Sequence, residues 1–255
     1  MNLLVVDNKE EIAAEAYAYM VEAIQSKDAF TLGLATGSSP EGIYELFRQG
    51  KPDVSHVTTV NLDEYIGLAA DHPQSYAAFM QEHLFGHLNF KATHIPNGMN
   101  ADQEAECARY DAILAENPVD LQLLGIGTNG HIAFNEPVAD FELTTHVETL
   151  VQDTIDSNSR FFASPSEVPT TAYTMGIKSI MAAEKILLIA SGSAKAEAVK
   201  AMIEGPVTPE MPASILQTHP NVLIIVDEAA ASLIDFDALE AGIEGCCGGG
   251  CGCDH

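Results

Sequence analysis

Tryptophan is absent, arginine occurs only as Arg48, Arg109 and Arg160, and Lys plus Arg total 11 against 37 Asp plus Glu. A formal net charge of −26 suits neither nucleic acid nor an anionic membrane surface, which both reward excess cations. Neither partner is expected. No 18 apolar residues run together, and the start, MNLLVVDNKEE, has no basic segment and no apolar stretch of signal-peptide length. No membrane span or export signal is therefore expected. Cysteine is scarce where it would matter for folding. Four of five (Cys246, Cys247, Cys251 and Cys253) lie in the last ten residues, and the body holds only Cys107. A disulfide framework does not fit, and the expected compartment is the cytoplasm.

What is present supports a folded core. Of 255 residues, 47% are hydrophobic, which excludes general disorder. Short apolar runs alternate with amphipathic stretches. Strands are predicted at Phe30–Ala35, Val57–Leu62, Leu121–Ile126, Lys185–Ala190 and Val222–Val226, and helices at Pro40–Gln49, Tyr76–Leu88 and Ala101–Glu116. This alternation implies an α/β fold with a mostly parallel sheet covered on both faces. Neither an internal repeat nor a linker divides it, so residues 1–240 are expected to form one domain. The polar stretch 152–173, with Pro165 and Pro169, reads as a lid over that domain.

Ligands of open parallel sheets bind beyond the carboxyl ends of the strands, so the residues at each strand exit are the candidates for chemistry. After the first predicted strand come Thr36, Gly37, Ser38, Ser39 and Pro40, opening a helix; after the fourth come Ser191, Gly192, Ser193, Ala194 and Lys195. Each alone reads as a tight turn with a helix cap. As a pair in a chain so short of cations, they suit one phosphate, held by backbone amides, hydroxyls and Lys195. Arg160 adds a bidentate clamp or is a surface residue. Asp63 and Glu64 follow the second strand, where an acid is either a helix cap or a base that removes a proton next to a carbonyl.

The densest run, Gly125 to Pro137, follows the third strand and holds Asn129, His131 and Glu136. Imidazole exchanges protons near neutral pH, and a carboxylate beside it can orient it and hold the imidazolium. His219 either supports structure or rims the pocket. His83 and His87 have the i, i+4 spacing of helical metal ligands but no evident third ligand.

Together, LGLATGSSPEG, TTVNLDEYIGL, LLGIGTNGHIAFNEP, NSRFF, SGSAKAEAV and LQTHP, spread from about Leu32 to Leu233, resemble the isomerase-type glucosamine-6-phosphate deaminase family. The resemblance implies a Rossmann-like three-layer sandwich. It also implies conversion of glucosamine 6-phosphate and water to fructose 6-phosphate and ammonia in amino-sugar catabolism, without organic cofactor or metal. By matching positions, Asp63 is the enolisation base, and His131 is the ring-opening acid/base with Glu136 as its partner. Asn129 stands where some members carry Asp, and here acts by hydrogen bonding. Thr36, Gly37, Ser38, Ser39, Arg160 and Lys195 fall on the phosphate site, and the 152–173 stretch on the lid.

Two rivals remain. A 6-phosphogluconolactonase shares the Gly-His loop, yet usually has Asp before Gly-His and lacks the Phe134–Pro137 continuation. A sugar-phosphate-sensing regulator domain would need a DNA-binding segment that this acidic chain does not supply. The tail, 241–255, reads as flexible and falls outside the resemblance. Its Cys246, Cys247, Cys251 and Cys253, with His255, either bind a soft metal such as zinc, copper(I) or nickel or are incidental thiols. Monomer and homo-oligomer both stay open.

Overall fold

Five short runs rich in apolar or β-branched residues, flanked by turn residues, become the sheet's interior. The computed structural model describes residues 1–162, 164 and 167–237. Strands β2 (Phe30–Leu34), β3 (Val57–Asn61), β6 (Leu121–Leu124), β9 (Lys185–Ala190) and β10 (Val222–Asp227) match the predicted set. Two further strands, β1 (Asn2–Val6) and β5 (Ala92–His94), flank them, giving a seven-stranded sheet in the order β1-β10-β9-β6-β2-β3-β5. Every pairing in it is parallel. Nearly every residue of the central strands is buried, which explains why they read as continuous apolar runs. At Gly33 a Cβ would lie 2.0 Å from Oε1 of the buried Gln122 on β6, so any larger residue there would displace the Gln122 side chain.

Helices cover the sheet. They include α1 (Lys9–Gln25), capped by the Asn8 side chain, α2 (Glu41–Gly50), α3 (Tyr76–Met80), which continues as a π-turn to Phe85, and α4 (Gln103–Glu116). A short helix, α5 (Gln152–Asn158), runs into a 3₁₀ turn at Ser159–Phe161, and α6 (Ile177–Met181) follows. After β9, a 3₁₀ turn at Ser193–Lys195 leads into α7 (Ala196–Glu204), and α8 (Glu228–Ala231) follows β10.

A second, antiparallel sheet joins β4 (Asp63–Tyr65), β8 (Thr171–Thr174) and β7 (His146–Thr149) in the order β4-β8-β7. The predicted lid stretch 152–173 therefore contains α5, the 3₁₀ turn and most of β8. Its last residues, including the fully buried Tyr173, belong to the body of the fold. The Cys-rich tail lies outside the described residues.

Strand order places the ligand crevice. From β2 the chain winds to β3 and β5 on one side; from β6 it winds to β9 and β10 on the other. The reversal between the adjacent β2 and β6 opens a crevice at their carboxyl ends. The two loops that leave it are Thr36–Pro40 and Gly125–Pro137.

Candidate active site

A cavity of about 440 Å³ opens at that crevice, large enough for a phosphorylated monosaccharide. Thr36, Gly37, Ser38, Ser39, Asp63, Asn129, His131, Arg160 and Lys195 all line it. Glu136 does not line it and stands behind His131.

At one end the features that suit an anion gather. The Thr36–Ser39 turn leads through Pro40 into α2, with Gly37 at φ +89, a left-handed conformation that a side chain would strain. Arg160 Nη2 reaches to 3.4 Å from Ser38 Oγ, and Lys195 approaches from the turn after β9. Burial and then the nearby Arg160 charge hold the Lys195 ammonium below its ordinary value, as expected of two cations converging where an anion relieves both. A third cation, Lys9 at the start of α1, also lines the cavity and donates to the Ser38 carbonyl at 2.9 Å. The second turn offers less than its sequence suggests. The Gly192 amide is taken by both carboxylate oxygens of Asp227, at 3.0 and 2.9 Å, which leaves Ser191, Ala194 and Lys195 on the cavity.

The other end carries proton-exchanging groups. The adjacent acids of β4 divide the two roles that their sequence allows. Glu64 turns away and accepts N–H groups from Tyr65, Tyr76 and Ala77, at 2.9, 2.9 and 2.8 Å, so it caps α3. Burial still raises it to about 7 against those three bonds. Asp63 faces the cavity, is only 6% exposed, and receives no hydrogen bond on its carboxylate among the described residues. Burial and then the charge of Glu64 push it up to about 8.

His131 hangs on a loop that is folded back on itself. Gly127 N–H donates to the His131 carbonyl at 2.9 Å, and His131 N–H donates to Asn129 Oδ1 at 3.2 Å. Its Nδ1 lies 3.4 Å from Glu136 Oε2, a charge-pairing distance rather than a well-formed hydrogen bond. Glu136 is held by Asn129 Nδ2 on Oε2 at 3.0 Å and by the Thr154 hydroxyl on Oε1 at 2.5 Å. Burial alone would raise this carboxyl, but the neighbouring His131 and the bonds from Thr154 and Asn129 bring it below the usual range. Glu136 is thus an anion beside the imidazole across the neutral range.

An aromatic wall, not anticipated from the sequence, closes one side. Tyr65 and Tyr76 lie 4.8 Å apart between ring centres, Tyr76 stacks on Phe134 at 5.9 Å, and Phe162 meets Tyr65 edge-on. Asp153, Thr154, Ser157 and Asn158 bring α5 onto the cavity as well. The remaining histidines have structural settings. His219 is buried between the Ala183 carbonyl and the Asn221 N–H, and away from the cavity. His83 stacks on Phe79, and no group of three metal-ligating side chains gathers among the described residues.

Fold and site together define an open α/β protein in which an anion cradle and proton-exchanging side chains share one crevice. The chain belongs to the glucosamine-6-phosphate isomerase/6-phosphogluconolactonase family, whose model matches residues 7–225. It is 53% identical over 234 residues to a glucosamine-6-phosphate deaminase of Lactobacillus delbrueckii subsp. bulgaricus, covering 92% of this chain and all of that one. It is 54% identical over 233 residues to a glucosamine-6-phosphate deaminase of Bacillus cereus, covering 91% of this chain and 89% of that one. The solved structure of a monomeric glucosamine-6-phosphate deaminase superposes with a TM-score of 0.88 at 42% identity, over 91% of this chain and 100% of the other. A 6-phosphogluconolactonase from Leishmania guyanensis shares the fold at a TM-score of 0.73 and 20% identity, over 92% of this chain and 98% of that one.

Proposed function

We propose that this protein is a glucosamine-6-phosphate deaminase, converting glucosamine 6-phosphate and water to fructose 6-phosphate and ammonia. One observation carries the reading: a buried acceptor carboxylate, Asp63, and the His131–Glu136 couple share a single cavity with the cations Lys9, Arg160 and Lys195. The phosphate is the inert handle. Held by the cradle, it lets binding energy fix the reacting carbons against Asp63.

The sugar's closed ring has no acidic C2 proton, so the ring must open first. His131 moves a proton between O1 and the ring oxygen O5, and Glu136 holds the imidazolium that forms in between. The aldehyde at C1 now acidifies C2–H. Asp63 takes that proton and returns it to C1. The resulting imine at C2 adds water and releases ammonia, leaving the ketone of fructose 6-phosphate. Asn129 cannot carry charge and acts through its bonds to Glu136 and the His131 amide. Each well-placed acid or base contributes roughly 10²–10⁴-fold. Helix α5 and the 3₁₀ turn that continues it serve as a lid over a single α/β domain, and the enzyme works in the cytoplasm.

The deciding assay measures ammonia release from glucosamine 6-phosphate, with glucosamine and 6-phosphogluconolactone as controls. Ammonia is expected only from the phosphorylated amino sugar. Faster hydrolysis of the lactone would reject the reading in favour of a lactonase. Lys195→Ala is expected to raise KM for the phosphorylated sugar by about tenfold or more, the scale of one charge-assisted contact, and to weaken the preference for it over glucosamine. An unchanged KM would remove Lys195 from the phosphate cradle.

A further inference from the structure

The Thr154 hydroxyl meets Glu136 from outside the His131 loop. The two residues are 18 positions apart, both are at least 95% buried, and the bond is 2.5 Å. Nothing in the ring-opening chemistry requires it. Its place in the chain is informative. Thr154 lies in the first turn of α5, and Arg160 follows six residues later in the 3₁₀ turn that continues the same helix. At the helical rise, about 9 Å separates them, so a unit this short moves as one piece. One end of it reaches Ser38 through Arg160, and the other reaches Glu136 through Thr154. Between them, Asn158 Nδ2 donates to the Tyr65 hydroxyl at 2.8 Å, and Tyr65 belongs to the strand that bears Asp63.

We propose that Thr154 is a positioning residue that transmits phosphate seating to the acid/base couple: an anion drawing Arg160 into the cradle sets α5, and the Thr154 hydroxyl then fixes Glu136 and, through it, the ring of His131. The carboxylate has two oxygens and unequal demands on them. Oε2 is shared between the Asn129 amide and His131 Nδ1, whereas Oε1 is held by Thr154. Without Thr154 the carboxylate can rotate about its terminal bond, and the 3.4 Å approach to His131 loses its anchor. The bond thereby gives the unreacting phosphate a route to the group that opens the ring. The deaminase reading supplies the substrate for this inference; the geometric link stands independently of it.

Thr154→Val keeps the shape of the side chain and removes the hydroxyl; Thr154→Ser restores it. The full chain is titrated with inorganic phosphate while the His131 ring signals are followed by NMR, and turnover of glucosamine 6-phosphate is measured in parallel. In the wild type, phosphate is expected to shift the His131 signals. In Thr154→Val, phosphate binds with an affinity within about threefold of wild type, the shift is lost, and kcat falls ~10–100-fold while KM stays within about threefold, as for a misplaced catalytic group. Thr154→Ser recovers both readouts. Should the valine variant not fold, Thr154→Ala carries the same comparison. An absent shift in the wild type, a shift that survives the loss of the hydroxyl, or a serine variant no better than valine overturns the proposal. A wild-type protein that releases no ammonia overturns the substrate assignment instead, and the phosphate titration still decides the role of Thr154.

Discussion

Replacing Asp63 by Asn is expected to abolish exchange of the C2 proton with solvent and to lower ammonia release by ~10³-fold or more, while sugar-phosphate binding persists. The side chain is nearly isosteric, and the cradle of Lys9, Arg160 and Lys195 approaches the cavity from other elements. Only the proton acceptor is lost, so the defect belongs in kcat. The same variant has a second, opposite signature. Asp63 is raised from the ordinary 3.8 to about 8 by burial and by Glu64, so the folded protein binds a proton that the unfolded chain has released. Between those values the wild type loses stability as pH rises, because the fold binds more protons there than the unfolded state. The Asn variant has no such loss. Its stability advantage should widen from pH 5 to pH 8 and then level off, reaching a few kcal/mol, since each tenfold change in proton affinity is worth about 1.4 kcal/mol. For the same reason, wild-type kcat/KM is expected to climb with pH toward about 8 as Asp63 ionises. Solvent exchange at C2 that continues in the variant would exclude Asp63 as the base. Denaturation curves with no pH-dependent gap would mean that its carboxyl is not raised.

The second large effect belongs to a residue with no side chain of its own. A Cβ on Gly127 would lie 2.4 Å from both Cε1 and Nδ1 of the His131 ring, well inside contact distance. Gly127 is not among the glycines at positive φ, so the backbone there does not demand glycine, and the nearest conflict is with the imidazole. Gly127→Ala is therefore expected to fold, to displace the His131 ring from Glu136, and to lower kcat by ~10²-fold or more. Circular dichroism and a melting curve near those of the wild type, joined to that loss, would match. Activity within about twofold of the wild type would show that the ring has room to move, and that its present contact with Glu136 is not required.

Much of the candidate site was legible because its residues follow strand exits and the interior strands are unmistakable. Phe30–Leu34 and Leu121–Leu124 are buried on both faces, so their apolar runs point directly to the turns that follow. The parts that escaped did so for identifiable reasons. Strand β1 is an edge strand with two exposed positions, and its sequence merges with the helix that follows. With β1 unmarked in the sequence, nothing sets Lys9 at a strand exit, although it reaches the Ser38 carbonyl from 29 residues away. Strand β4 was missed because Asp-Glu-Tyr lacks β propensity in its acids; it forms by pairing with β8, more than 100 residues later in the chain. The predicted helix over Tyr76–Leu88 changes to a π-turn at Gln81, a distinction of hydrogen bonding that periodicity does not reveal. The contribution of α5 was concealed in a polar stretch, since Thr154 carries no mark in sequence of its partner on another loop.

The cradle's cations come from three distant parts of the chain, Lys9 at the start of α1, Arg160 beyond α5 and Lys195 beyond β9. No short segment holds two of them, so a denatured chain has no comparable affinity for a phosphorylated ligand. Any such metabolite thus acts as a selective ligand of the native state. At a hundredfold excess over its Kd it adds about 2.7 kcal/mol to the free energy of unfolding, and the enzyme is hardest to denature when its substrate is abundant.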